Sequence, residues 1–194
     1  AIDWFDPSYL AANSVPDAIS KAKGAAGDWV GILYAAQALF SVAFAVVLTK
    51  LANTFGRKVV YSLSLLAGGL GYISMIIFTD PTIMSVNLYS NEVTVPQGAV
   101  GIVLSMIGVG IAWAAILAMP YAILAGALPA DKTGVYMGIF NFTIAAPQII
   151  SGLVSGWILG SVFGNEAIYI IMLAGVSMIL GAVSVLFVKD KEAA

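Results

Sequence analysis

Side-chain amides recur inside long uncharged stretches of this 194-residue chain, where they are the groups best able to do chemistry. Asn141, Gln148 and Ser155 are spaced by seven residues within the stretch 133–165, which contains no Asp, Glu, Lys or Arg. Seven residues make about two helical turns, so the three side chains share one helical face. Because an amide without a partner is costly in an apolar medium, this face is expected to meet a polar solute or another helix.

Two other stretches carry side chains of the same kind at helical spacing. They are Tyr34, Gln37 and Ser41 in the stretch 29–49, and Trp113 and Tyr121 in the stretch 93–130. The aromatic rings have flat apolar faces and polar tips, a combination that suits stacking on a sugar ring. Contact with a neighbouring helix is the alternative for each of these residues.

The elements that must position these groups are membrane-spanning helices. The chain is 61% hydrophobic and only 9% charged, which is outside the range of ordinary soluble domains. Its uncharged stretches are 29–49, 59–79, 93–130, 133–165 and 167–188. About 20 apolar residues cross a bilayer as a helix, whereas barrel strands would alternate in segments of about 10 residues. The sequence therefore predicts an all-α membrane protein with five spanning helices.

Composition also excludes several function classes. There is no cysteine and no histidine, and the uncharged stretches contain no Asp, so thiolate metal sites, the usual zinc ligand and the usual hydrolytic constellations are missing. The net charge of −2 gives no basic surface for nucleic acid. We therefore expect no enzyme activity, no catalytic residue, no metal and no cofactor. An intramembrane enzyme is therefore the hypothesis that the composition favours least.

Lysine and arginine predict the orientation. Six of these residues lie in one set of alternate loops and at the C-terminus, while the opposite side has only two, Lys21 and Lys23. The positive-inside rule then places the C-terminus in the cytoplasm and, with five spans, the N-terminus outside. We expect residues 1–28 to be an external loop that follows a missing helix, and residues 29–194 to be the five-helix domain. A short protein inserted in reverse is the alternative.

Small residues predict where helices approach one another. In the fourth stretch these are Gly134, Gly138, Gly152, Gly156 and Gly160, and Pro147 frees a backbone carbonyl between them. The second stretch has Gly68, Gly69 and Gly71 beside Ser62 and Ser64, and it is also expected to pack against its neighbours.

The segment LANTFGRK, residues 51–58, resembles a loop motif of the major facilitator superfamily. That motif, similar to G-x-L-A-D-x-x-G-R-K, lies in the cytoplasmic loop between the second and third helices of each six-helix half. The matching residues are Leu51, Ala52, Gly56, Arg57 and Lys58. Asn53 stands where the family usually has Asp, which weakens any charge-paired gate at this loop.

A second segment narrows the resemblance. The order P-Y-A-x-L-x-x-x-L-P, then G-x-Y-M-G-x-F-N, then P-Q-I is similar to the tenth and eleventh helices of the sucrose and maltose proton symporters and their glycoside relatives. It begins at Pro120 and Tyr121, continues through Gly134, Asn141 and Pro147, and ends at Ile149. The five spans would then correspond to helices eight to twelve of such a transporter.

The resemblance implies that the first, third and fourth spans face a central cavity and that the second and fifth lie outward. The side chains on these spans that we expect to bind the substrate are Tyr34, Gln37, Ser41, Trp113, Tyr121, Asn141 and Gln148. It also implies proton-coupled sugar uptake across the plasma (inner) membrane, with the coupling carboxylate in a missing N-terminal half. The expected partners are the lipid bilayer, a sugar-like molecule, and that half or a second copy. The alternative is a helical membrane subunit, or a homodimerising half-unit, without transport of its own.

Overall fold

The computed structural model of the chain describes residues 15–78, 83–88, 91–129 and 132–188. Within them, the α-helices are α1 (Val15–Phe55), α2 (Arg57–Ser74), α3 (Gln97–Ala125), α4 (Thr133–Ser161) and α5 (Ala167–Val185). A 3-10 turn, Met75–Ile77, continues α2. All five of these helices contain a segment long and apolar enough to cross a membrane. The prediction of an all-α membrane protein with five spanning helices is confirmed.

The first helix begins well before the predicted span. The expectation of a loop over residues 1–28 is corrected for residues 15–28, because α1 includes them. Pro16 lies in the first turn, where a missing N–H leaves no hydrogen bond unmade, and the alanines that follow are strong helix formers. Residues 1–14 lie outside the described part of the chain.

A β-hairpin lies in the connection between α2 and α3. Strand β1 (Ile83–Leu88) pairs antiparallel with β2 (Asn91–Pro96), in a register that sets Val86 opposite Val93. The final residue of β2 directly precedes α3. The membrane composition did not indicate this hairpin.

Helix α2 lies at the centre of the bundle and contacts α1, α3 and α5. One cluster of buried side chains lies near the connection between α1 and α2, and a second lies toward the hairpin. The first comprises Leu48, Ala52, Val60, Ala115 and Met119, and the second comprises Met75, Met106 and Val109.

Glycines bring α2 within backbone contact of its neighbours. A Cβ atom on Gly69 would lie 2.7 Å from the carbonyl oxygen of Gly175 in α5, and one on Gly71 would lie 2.7 Å from the carbonyl oxygen of Ser105 in α3. Both distances are too short for a real Cβ, so only glycine fits at these two points. The expectation that the second span packs closely is confirmed.

Hydroxyl groups join the same helices across the apolar interior. Ser62 in α2 donates a hydrogen bond to the carbonyl oxygen of Ala182 in α5, at 2.7 Å. The hydroxyls of Ser74 and Ser105 lie 2.7 Å apart and link α2 to α3. Such bonds hold membrane helices together where lipid offers no competing partner.

Helix α4 makes few contacts with this bundle. None of its residues is buried, and its contacts with α5 are few. Its predicted packing glycines Gly134, Gly138, Gly152 and Gly156 would each place a Cβ in open space, and Gly160 comes no closer than 3.8 Å to the Asn165 side chain. Pro147 is accommodated inside the helix. Among the described residues these glycines therefore touch no other helix, and the packing role predicted for them and for Pro147 stays a prediction.

Candidate functional site

A cavity of about 350 Å³ lies in the half of the bundle nearest the hairpin. Four helices and the 3-10 turn build its wall. The lining residues are Val30, Leu33, Tyr34 and Gln37 from α1, Tyr72 and Met75 from α2 and its turn, Met106 and Val109 from α3, and Ile170, Ile171 and Ala174 from α5. The volume is at the lower end of the range for small-molecule pockets. The wall is mainly aliphatic, with one amide and two phenol groups.

Gln37 is the polar residue most enclosed by this cavity. Its side chain is only 8% exposed, and it makes no hydrogen bond with another described residue. In the described part of the chain, no fully buried side-chain nitrogen or oxygen lacks a partner. The Gln37 amide is therefore reachable from the cavity, where a solute or water can pair with it.

Close helix contact fixes the backbone of Gln37. A Cβ on Gly110 of α3 would lie 2.7 Å from the carbonyl oxygen of Gln37 and 3.0 Å from the amide nitrogen of Ser41. The absence of a side chain at position 110 thus lets α3 lie directly against this turn of α1. Ser41 lies one turn beyond Gln37, is partly buried, and is not part of the cavity lining.

Tyr34 lies at the open side of the cavity, because its side chain is 68% exposed while contributing to the lining. It is one helical turn from Gln37. A solute bound by the Gln37 amide could therefore also meet the Tyr34 ring or hydroxyl.

Tyr121 and Asn141 form a second polar group, which joins α3 to α4. The Tyr121 hydroxyl donates a 2.8 Å hydrogen bond to the Asn141 side-chain oxygen. The Tyr121 ring also meets the Phe140 ring edge to face, with centroids 5.1 Å apart. Neither polar residue belongs to the cavity of Gln37. For Tyr121 and Asn141 the structure therefore shows contact between two helices, which was the alternative to contact with a solute.

The remaining two predicted contacts are not brought to the cavity. Trp113 in α3 is 50% exposed, and Gln148 in α4 is exposed as well. The predicted set therefore divides among the cavity, the Tyr121–Asn141 pair, the two exposed positions and Ser41, which is partly buried outside the cavity. Any substrate role for these residues stays a prediction.

Sequence reasoning missed the contribution of α2 and α5 to the cavity. Tyr72, Met75, Ile170, Ile171 and Ala174 line it, although these helices were expected to lie outward. The available signal was Tyr72, the one phenol in the apolar end of α2. A buried tyrosine hydroxyl requires a hydrogen-bond partner, and this requirement distinguishes Tyr72 from the aliphatic residues around it.

The loop motif, residues 51–58, connects α1 to α2. Gly56 separates α1 from α2 with φ of +87°, a conformation that side chains other than glycine rarely adopt. Arg57 then donates a 3.2 Å hydrogen bond from its guanidinium group to the carbonyl oxygen of Ala122, in the last turn of α3. Asn53 is exposed. The motif therefore holds α2 against α3 at the end of the bundle remote from the cavity.

A second hollow, of about 620 Å³, lies between α4 and α5. Pro147, Ser151 and Ser155 contribute from α4, and Ser177 contributes from α5. The Ser177 hydroxyl donates a hydrogen bond to a carbonyl of its own helix, at 2.8 Å. No group of three or more metal-ligating side chains converges here or elsewhere among the described residues.

A family model described as Major Facilitator Superfamily matches residues 5–194, nearly the whole chain. No curated protein and no solved structure matches significantly.

Proposed function

The chain belongs to the Major Facilitator Superfamily and is thus a membrane transporter protein, and from this premise we propose that it serves in secondary active uptake of a sugar. The solute class is a disaccharide or glycoside, and uptake occurs by alternating access coupled to protons. The sugar assignment rests on the resemblance of residues 120–149 to the glycoside symporters and on the chemistry of the cavity.

The observation that carries the proposal is the Gln37 amide. It is 8% exposed, lies inside a membrane-spanning segment and has no partner among the described residues. An amide both donates and accepts hydrogen bonds, so it matches paired sugar hydroxyls, which present the same two functions. The aliphatic wall and the Tyr34 ring suit the apolar face of a pyranose.

The other predicted contacts belong to the same proposal. We assign Ser41, Trp113 and Gln148, together with the Tyr121–Asn141 pair, to the solute pathway on the three spans expected to face it. Asn141 and Gln148 lie on the exposed face of α4, which a second half of the transporter would complete.

Proton coupling requires an ionisable group that changes its protonation as access alternates. The apolar interiors of the five spans contain no Asp, Glu or His. The coupling carboxylate is therefore proposed to lie in an N-terminal six-helix half. In the proposed orientation the C-terminus is cytoplasmic and the protein resides in the plasma (inner) membrane.

A second function is favoured by the exposure of α4. This helix has no buried residue, and four of its glycines face open space, which is a surface suited to another membrane helix. The chain would then be a non-transporting helical subunit or one half of a homodimer.

Sugar uptake into proteoliposomes by the complete protein, with the N-terminal half included, tests the first proposal. Gln37→Leu retains the size of the side chain but removes its hydrogen bonds, so uptake of radiolabelled sucrose or maltose should fall about tenfold. Ser184→Ala is the matched control, because that hydroxyl bonds only to its own helix, at the Leu180 carbonyl. Uptake by Gln37→Leu at the wild-type rate would refute the sugar site. Absence of uptake in every form, together with a crosslinked dimer through α4, would support the second function.

A further inference from the structure

The wall of the Gln37 cavity contains a second enclosed polar group, the phenol of Tyr72. Tyr72 belongs to α2, a helix that was expected to lie outward. Its side chain is partly buried, and its hydroxyl makes no hydrogen bond with another described residue. Because no fully buried side-chain nitrogen or oxygen among the described residues lacks a partner, this hydroxyl is accessible. The hollow that Tyr72 lines is the cavity of Gln37.

Close helix contacts fix the position of Tyr72 on two sides. A Cβ atom on the preceding residue, Gly71, would lie 2.7 Å from the carbonyl oxygen of Ser105 in α3. A Cβ atom on Gly175 in α5 would lie 3.1 Å from the Cβ atom of Tyr72 itself. The tyrosine ring also packs against the second cluster of buried side chains. A side chain that is held in place before binding loses little conformational freedom when a solute arrives, so this phenol is suited to binding.

Tyr72 and Gln37 face one cavity from different helices. A phenol and an amide can each donate and accept hydrogen bonds, so both match the hydroxyl groups of a sugar. Apart from these two residues and Tyr34, the cavity is lined by aliphatic side chains and methionine. Tyr34 lies at the open side, since it is 68% exposed. A solute hydroxyl inside the cavity is therefore stabilised mainly where it meets Tyr72 or Gln37, because an unpaired hydroxyl against aliphatic carbon is costly.

We propose that Tyr72 determines the specificity of the sugar site. Its hydroxyl forms a hydrogen bond with one hydroxyl group of the solute, while the Gln37 amide bonds to others. This role rests on the proposed function, because it adds a contact to the same site. A site built to bond a hydroxyl group rejects an analogue that lacks it, since the protein group is then left unpaired. Helix α2 thus selects the solute in addition to packing the bundle.

Tyr72→Phe tests this role, because it removes the hydroxyl and keeps the ring in the cavity wall. Tyr61→Phe is the matched control. Tyr61 lies about three helical turns earlier in α2, is also partly buried, and makes no hydrogen bond with another described residue. It packs against the first cluster of buried side chains and is not part of the cavity lining. The Tm of each variant in detergent verifies that it is folded.

Uptake by the complete protein in proteoliposomes gives the first measurement. We expect Tyr72→Phe to raise the KM for radiolabelled maltose about three- to tenfold, which corresponds to the loss of one hydrogen bond. The maximal rate should stay within about twofold of wild type, because a contact made equally before and during transport affects KM alone. Tyr61→Phe should change neither quantity. Sucrose replaces maltose if the wild type accumulates only sucrose.

Competition by monodeoxy analogues of the same sugar separates a direct contact from a change in cavity shape. In the wild type, the analogue that lacks the hydroxyl bonded by Tyr72 should compete about three- to tenfold more weakly than the parent sugar. In Tyr72→Phe this one difference should disappear, while the differences for the other analogues persist. If every analogue keeps its wild-type ratio in Tyr72→Phe, the phenol does not touch the solute and the proposal fails.

The remaining outcomes distinguish this proposal from the proposed function. An unchanged KM in Tyr72→Phe beside impaired uptake in Gln37→Leu would overturn the role of Tyr72 and leave the sugar site intact. An equal rise of KM in Tyr61→Phe would also overturn it, because the effect would then act through the packing of α2. Wild-type uptake in Gln37→Leu would overturn the sugar site, and the role of Tyr72 with it.

Discussion

Alanine at position 175 should push α5 away from α2. The new Cβ would lie 2.8 Å from the carbonyl oxygen of Gly69, 2.9 Å from the Cγ1 atom of Ile73 and 3.1 Å from the Cβ atom of Tyr72. An ordinary contact of this kind begins at 3.4 Å. The carbonyl would therefore have to retreat by about 0.6 Å, the difference between 3.4 and 2.8 Å. The Gly69 carbonyl is part of a rigid helix, so it cannot rotate aside as a flexible side chain can.

The cost follows from the behaviour of overpacked interiors. Adding a methyl group to a tightly packed site destabilises a protein by about 1–3 kcal/mol. Alanine recovers about 0.5–1 kcal/mol of helix propensity relative to glycine. The net effect of Gly175→Ala is thus a loss of up to about 2.5 kcal/mol, and of about 1 kcal/mol at the middle of both ranges. Gly152→Ala keeps the propensity gain without the clash, because nothing lies near Gly152.

Thermal unfolding of both variants in the same detergent provides the assay. For a chain of this size, 1 kcal/mol shifts Tm by about 2–4 °C. We expect a lower Tm for Gly175→Ala and an equal or slightly higher Tm for Gly152→Ala. Equal Tm values for the two variants would refute the close approach of α2 and α5. A large loss in Gly152→Ala would instead show that α4 packs on a second body in solution.

Two further predictions concern hydrogen bonds between helices. Ser62→Ala should destabilise the protein by about 1 kcal/mol, because it removes a hydrogen bond from α2 to Ala182 in α5. Ser177→Ala removes a hydrogen bond within one helix and should cost much less. The Tm values of the two variants in detergent test this difference, and equal values would contradict the interhelical role of Ser62. Tyr121→Phe keeps the ring but loses the 2.8 Å hydrogen bond to Asn141. Crosslinking between cysteines placed on α3 and α4 should therefore fall. Unchanged crosslinking would show that this hydrogen bond does not hold α4 against α3.

The spans could be predicted because membrane insertion is decided by local composition. A charged side chain is costly in the hydrocarbon core, and a backbone polar group without a hydrogen bond is costly there too. A helix satisfies its own backbone groups, and therefore each uncharged stretch of about 20 residues or more has to be a helix. Helices α2, α3, α4 and α5 accordingly overlap the uncharged stretches. The early start of α1 at Val15 was missed because charged residues end a span without ending a helix.

The candidate site could be predicted only in part. Gln37 was identifiable as the one amide in its span, and the structure places it at a cavity wall. Tyr72 and Met106 join it there because α2 and α3 approach through small residues, a relation between distant parts of the chain. Trp113 and Tyr121 share a helical stripe in the sequence but have different surroundings in the structure.

The sequence by itself determined that this protein crosses a membrane, how many helices do so, and which polar groups they carry, since transfer into lipid depends on each segment separately. The family followed from motifs of fixed order and spacing. Only the tertiary structure decided which of these groups meet, because that depends on contacts between helices, such as the glycine approaches of α2, and on the pairing of β1 with β2. A single segment contains no information on the neighbour that it will face.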